Sequence, residues 1–274
     1  MNNNIIDINC YEPEELNSII NDVIQDGLEE YERFSFEEKT AEPIKDLKYV
    51  DAMCDYFISN GKYRDNMLFV CGINWALRVG DLLTVRFGDI IENGKFKNSF
   101  RLVEQKTAHT RVAHQNRKIV INQAVKDAVN LYLANVNGTV NLNDYMFTAE
   151  GGNMKLRSYE VDGKTYYAKE HITAKQVNRI LQSASEACGV PYKISTHSMR
   201  KTFGYHQMAM SNNDPRKLLL LQQMFNHSSS VITLRYIGLT DEEIVNSVSM
   251  MNLGSDSDYR RNTNDNVVGI QMIG

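Results

Sequence analysis

His197 and Arg200 lie three residues apart at the start of a stretch that reads THSMRKTFGYHQMAMSNNDPRKLLLLQQMFNHSSSVITLRY, residues 196–236. The same stretch holds His227 and, nine residues further on, Tyr236. Residues at i and i+3 share one face of a helix, so a helix starting at His197 aims its imidazole and the Arg200 guanidinium the same way. A phosphate is held by such a set, a rigid guanidinium fork with imidazole donors on its non-bridging oxygens. Tyr236 offers a nucleophile whose covalent adduct divides one hard step into two. Taken singly, each of the four reads as an ordinary structural or surface residue; their order and spacing carry the chemistry.

Two upstream segments extend the set. Arg78 lies in WALRVGDLLTVRFGDI, at a break between two helical runs and among apolar neighbours. Burying a guanidinium without an anion is costly, so Arg78 needs a partner, either a carboxylate such as Asp81 or a bound phosphate. Further on, EQKTAHTRVAHQNRKIVI carries Lys106, His109, Arg111, His114, Arg117 and Lys118. It lies between period-two runs at Phe100, Leu102, Val103 and at Ile119, Val120, Ile121, which predicts a hairpin with a basic turn. Any one lysine there reads equally as a solvated loop charge.

The elements that must place these groups are mostly helical. Helical period and stop signals predict helices over 46–59, 63–75, 123–135, 172–188 and 240–251. Asp214-Pro215 should open another, with residues 218–221, four leucines, as buried core. Residues 145–148 read as extended and 149–169 as a loop or small hairpin. Gly163-Lys164-Thr165 lacks the upstream glycine spacing of a phosphate-binding loop. The fold class is α+β, mainly α-helical with a small antiparallel β-sheet.

Charge divides the chain. Residues 1–42 hold 12 acidic and 2 basic residues, and 43–274 hold 22 acidic and 28 basic, so a net of −10 precedes a net of +6. A mildly basic body permits a polyanionic partner. The arm contains an amphipathic helix over 13–33, opened by Pro13 and acidic on its outer face. It either packs on the body as a solvated helix, or docks on a partner subunit or shields a basic groove. Cys10, Cys54, Cys71 and Cys188 are scattered and form no C-x-x-C pair, which argues against a zinc site and against a disulfide framework and suits a reducing cytoplasm. No apolar run is long enough for a membrane span, and the N-terminus lacks a secretory pattern.

In order, these pieces resemble the catalytic domain of the tyrosine recombinases, the phage-integrase family. ALRVGDLLTVRFGDI is similar to the family's first arginine motif, with Arg78. Lys106 falls in the strand–turn–strand segment where the family carries its lysine. His197-Ser-Met-Arg200 matches His-x-x-Arg, Phe225-Asn226-His227-Ser228-Ser229 resembles Leu-Gly-His-Ser-Ser, and Tyr236 lies at the family's spacing from that histidine. Asp81 stands where Glu is usual, and Phe225-Asn226 where Leu-Gly is commoner.

The resemblance implies a tyrosine recombinase catalytic-domain fold over 43–251; charge sets off an acidic arm at 1–42 before it, and polar, Gly/Asn/Asp-rich composition a flexible tail at 252–274 after it. Two-domain members carry a helical DNA clamp where the arm stands, so either the arm does another job, or the clamp is lost or supplied by an accessory DNA-binding protein. The implied activity is site-specific recombination or integration on double-stranded DNA through a 3′-phosphotyrosyl intermediate. It implies a homo-oligomer, a tetramer, on the DNA.

By the same resemblance, Arg78 and Arg200 hold the non-bridging oxygens and His227 hydrogen-bonds one of them. His197 takes or steers the proton of Tyr236, a phenol with an unperturbed pKa of about 10. Lys106 protonates the departing 5′ oxygen. Lys95, Lys97 and Lys118 are its rivals, and Arg111 and Arg117 are candidate phosphate contacts. The phosphotyrosyl bond conserves the phosphodiester energy, so no cofactor and no metal are expected. The alternatives are a type IB topoisomerase that relaxes DNA, and a catalytically idle DNA-binding regulator with the same fold.

Overall fold

The structure, a computed structural model, describes residues 41–104, 117–149, 155–161, 163–211 and 214–239. The acidic arm and the helix expected over 13–33, the expected basic turn with Lys106, His109, Arg111 and His114, the helix expected over 240–251 and the expected tail lie outside the described residues. In chain order come helices α1 (Leu47–Ser59), α2 (Tyr63–Trp75), α3 (Val79–Leu83) and α4 (Phe87–Ile90). Short strands β1 (Ile91–Glu92), β2 (Lys95–Phe96), β3 (Ser99–Leu102) and β4 (Arg117–Val120) follow, then α5 (Gln123–Asn135). Strands β5 (Leu156–Val161) and β6 (Lys164–Lys169) precede α6 (Ala174–Ala187), α7 (Thr196–Ala209), α8 (Pro215–Phe225) and α9 (Ser230–Tyr236).

Helix α2 is the centre of the bundle. Met67, Leu68, Phe69, Cys71 and Trp75 are all buried on it, and it packs against α1, α5 and α7. Its approach to α7 is close: a side chain at Gly72 would collide with the Met199 sulfur. Trp75 adds a polar tie, its indole N–H donating to the Val120 carbonyl of β4 at 3.1 Å. The chain enters the bundle over α7, where the Ile44 N–H donates to Thr202 Oγ1 at 2.8 Å.

The strands form three two-stranded antiparallel ladders, β1–β2, β3–β4 and β5–β6. The β3–β4 ladder is the hairpin expected around the basic turn, with Phe100 opposite Ile119 and Leu102 opposite Arg117. Ladder β1–β2 was not anticipated, although its Asn93-Gly94 turn is a strong hairpin signal; both residues have positive φ, at 51° and 71°. The β5–β6 hairpin falls in the segment read as a loop or small hairpin.

The four leucines at 218–221 correct the expectation of buried core. Leu221 is buried and Leu218 partly so, but Leu219 and Leu220 are 55% and 53% exposed. Four consecutive residues wrap a full helical turn, so they cannot all face one core.

Candidate active site

Two helix C-termini converge at the site. Helix α2 ends on Ala76 in the left-handed conformation, φ 52°, and α8 ends on Asn226 in the same conformation, φ 56°. Glycine is the usual residue there because it has no Cβ to clash; asparagine is among the few others that adopt it readily. Asn226 therefore fills the place that the Leu-Gly pattern gives to glycine, with the same backbone geometry. Each ending turns orphan carbonyls, and the negative end of a helix dipole, toward the same space.

Arginines fill that space. Arg200 on α7 donates from Nη1 to the Ala76 carbonyl at 2.7 Å and from Nη2 to the Phe225 carbonyl at 3.2 Å. Arg78, the N-cap of α3, reaches the Phe225 carbonyl from Nη2 at 3.4 Å. Arg117 on β4 donates to the Trp75 carbonyl at 2.8 Å and the Ala76 carbonyl at 3.1 Å. The cations thus satisfy carbonyls that the helices cannot satisfy themselves.

The carboxylate facing Arg78 is Glu104 and not Asp81. Arg78 Nη1 donates to Glu104 Oε2 at 3.1 Å, and Arg117 Nη1 donates to Oε1 at 2.8 Å. Asp81 is buried on α3. Burial raises the Glu104 pKa, but Arg117, Arg200 and Arg78 outweigh it and hold the carboxyl below its usual range. Burial lowers Arg200 to about 10, which leaves it charged at neutral pH.

Tyr236 is the last residue of α9 and lies over this cluster. Its ring meets Phe225 and His227 edge-on, with centroids 5.3 and 5.0 Å away. Lys201, buried beside Arg200 on α7, places Nζ 5.4 Å from the ring centroid. Burial pushes the phenol's pKa up, while Arg200 and Arg78 pull against it. The close packing of α9 on α7 depends on Gly204: a Cβ there would sit 2.5 Å from Ile237 Cγ2 and 3.0 Å from the Phe225 ring.

His227 is oriented by Thr233. Thr233 Oγ1 lies 3.1 Å from His227 Nδ1 and 3.2 Å from the Ser229 carbonyl, which fixes the plane of the ring. Where the Thr233 hydroxyl donates to Nδ1, Nε2 carries the proton of the neutral imidazole and can donate to a phosphate oxygen. Burial, with the charges of Arg200 and Arg78, lowers His227 to about 4.

Of the six residues singled out from the sequence, Arg78, Arg200, His227 and Tyr236 meet in this one cluster. His197 is exposed on the first turn of α7, one turn before Arg200, where its N–H is capped by Ser195 Oγ at 3.2 Å. Lys106 lies outside the described residues. Among its rivals, Lys97 is tied to the Gly88 carbonyl at 3.0 Å, and Lys95 and Lys118 are exposed. Sequence reasoning left Arg117 among candidate phosphate contacts and missed Glu104 and Thr233. For Glu104 a signal existed: in a strand, Phe100, Leu102 and Glu104 fall on one face, so an acid continues an apolar stripe. Among the described residues no group of three or more His, Cys, Asp or Glu side chains could hold a metal ion.

The model of the phage integrase family matches residues 45–243. A probable integrase/recombinase of Bacillus subtilis (strain 168), YoeC, is 31% identical over 201 residues, which covers 73% of this chain and 91% of YoeC. Among solved structures, the XerA recombinase superposes over 79% of this chain with a TM-score of 0.52 at 14% identity, and the chain spans 66% of XerA's length. The fold is that of a tyrosine recombinase catalytic domain, and the chain belongs to the phage integrase family, whose members cleave and rejoin DNA.

Proposed function

We propose that this chain, a site-specific recombinase of the tyrosine class, breaks and rejoins double-stranded DNA through Tyr236. The Tyr236 oxygen attacks a backbone phosphorus, the 5′ oxygen departs, and a 3′-phosphotyrosyl bond remains. A 5′-hydroxyl of a second strand then reverses the step and frees the tyrosine. The observation that carries this reading is the meeting of Arg78 at the start of α3, Arg200 on α7, His227 after α8 and Tyr236 at the end of α9 in one cationic cluster. The arginines take the negative charge that grows on the non-bridging oxygens, which is where electrostatic catalysis acts. His197 handles the phenolic proton, and His227 hydrogen-bonds a non-bridging oxygen. Lys106 supplies the proton to the leaving oxygen.

The wider organisation belongs to the same proposal. Residues 43–251 form the catalytic domain, 1–42 an acidic arm and 252–274 a tail, and the protein works in the cytoplasm as a tetramer on DNA. The test uses nicked suicide duplexes drawn from the DNA flanking the gene. Wild type should form a covalent protein–DNA adduct, and Tyr236→Phe should form none. An adduct retained in Tyr236→Phe would remove the tyrosine from its role.

A further inference from the structure

Glu104 follows β3, where its carboxylate has no exposed surface and faces guanidiniums from three elements. Oε2 pairs with Arg78 at 3.1 Å, and Oε1 pairs with Arg117 at 2.8 Å and lies 3.8 Å from Arg200 Nη1. Side-chain exposure rises from 0% at Glu104 through 3% at Arg200 and 8% at Arg117 to 25% at Arg78. The carboxylate is thus the floor of the cluster, and Arg78 is its open end. Three like charges at this spacing repel strongly in a poorly solvated site. One carboxylate beneath them offsets that repulsion and still leaves two positive charges for an incoming phosphate. Arg117 cannot itself turn outward: both its Nη atoms are spent on Glu104 and on the Trp75 and Ala76 carbonyls.

We propose that Glu104, held by Arg117, is a positioning residue that sets the forks of Arg78 and Arg200 for the scissile phosphate. The proposal rests on the recombinase reading above. A structural ion pair alone would matter for stability and nothing else. A positioning carboxylate must also act on the reaction, because a misplaced fork of about 1 Å costs on the order of 100-fold in rate. It must also act on the pH profile. The Tyr236 ring faces Arg200, Arg78, Lys201 and His227, and removing the carboxylate's charge makes that surround more positive. The phenol then ionises more easily.

The experiment is single-turnover adduct formation on one nicked duplex across a pH series, with DNA binding and melting temperature measured alongside. In Glu104→Gln the plateau rate should fall about 100-fold with DNA binding within about threefold, as expected for an effect on the transition state. Its pH–rate profile should move to lower pH. Arg117→Lys, which keeps the charge and loses the fork, should lose rate in the same way with the profile in place. An unchanged rate and profile in a Glu104→Gln protein that melts with the wild type overturns the proposal. If Glu104→Gln does not fold, Arg117→Lys decides, and an unchanged rate there overturns it equally. A wild type that forms no adduct on any duplex overturns the recombinase reading, and the positioning role with it.

Discussion

Arg78 and Arg200 donate to one acceptor, the carbonyl oxygen of Phe225, at 3.4 and 3.2 Å. They come from α3 and α7, and the shared carbonyl ends α8. The histidine stretch and the two arginines are therefore mechanically one unit. The left-handed turn at Asn226 that ends α8 also starts the path to His227. A helix C-terminus attracts cations, so the same feature that ends α8 gathers the charge a phosphate needs.

Arg78 is the arginine with most freedom to meet a ligand, being 25% exposed where Arg200 is 3% exposed. Arg78→Lys keeps a positive charge beside Glu104 but gives up the planar fork. We expect adduct formation to fall by at least about 100-fold, the range seen when one transition-state donor is removed. DNA binding should change little, because the fork acts mainly on the transition state. Quench-flow cleavage and a filter-binding titration on the same duplex separate the two, and equal losses in both would count against this division.

Much of the fold was legible because its signals are local. The helix over 63–75 emerges at Tyr63–Trp75, since an unbroken apolar run ends at a turn, and Asn122 and Thr173 cap α5 and α6 from the sequence positions where capping residues belong. The site was legible in its chemistry and less so in its electrostatics. The sequence asks for an anion beside Arg78, either a carboxylate such as Asp81 or a phosphate, and does not pair it with Glu104, 26 residues away. Only the β3–β4 register and the position of α3 against it bring that carboxylate under the arginine. Thr233 was equally silent, since a threonine in a short helix carries no mark of the ring it orients. The leucines at 218–221 misled because composition alone does not say which side of a helix is covered.

Gly204 tests how tightly the helix that ends on Tyr236 is seated. In Gly204→Ala the new methyl would meet Ile237 and the Phe225 ring, both buried and both next to Tyr236 or Arg200. Overpacking of this kind costs about 1–3 kcal/mol, set against a gain of roughly 0.5–1 kcal/mol from replacing a mid-helix glycine. The net should be a loss of stability, visible as a lower urea midpoint. Cleavage should fall further than the unfolded fraction accounts for, because α9 must shift to make room. A variant with raised stability and full activity would show that the seat is loose.

His227 gives the fold a pH dependence whose sign is fixed by its surroundings. An ordinary histidine titrates near 6.5, and in the folded protein burial, with the charges of Arg200 and Arg78, lowers this one to about 4. Between those values the unfolded chain holds a proton on the ring that the folded protein does not. Stability rises with pH wherever the unfolded state binds more protons. The folded protein should therefore lose stability as pH falls from about 6.5 toward about 4, and this group should contribute no slope above that window. His227→Gln removes the titrating ring while keeping an amide that can donate to Thr233. Urea midpoints measured across the window should fall less steeply in the variant than in the wild type. Parallel slopes would mean that the ring is not held neutral by burial and the arginines, and the acid sensitivity would have to come from another group.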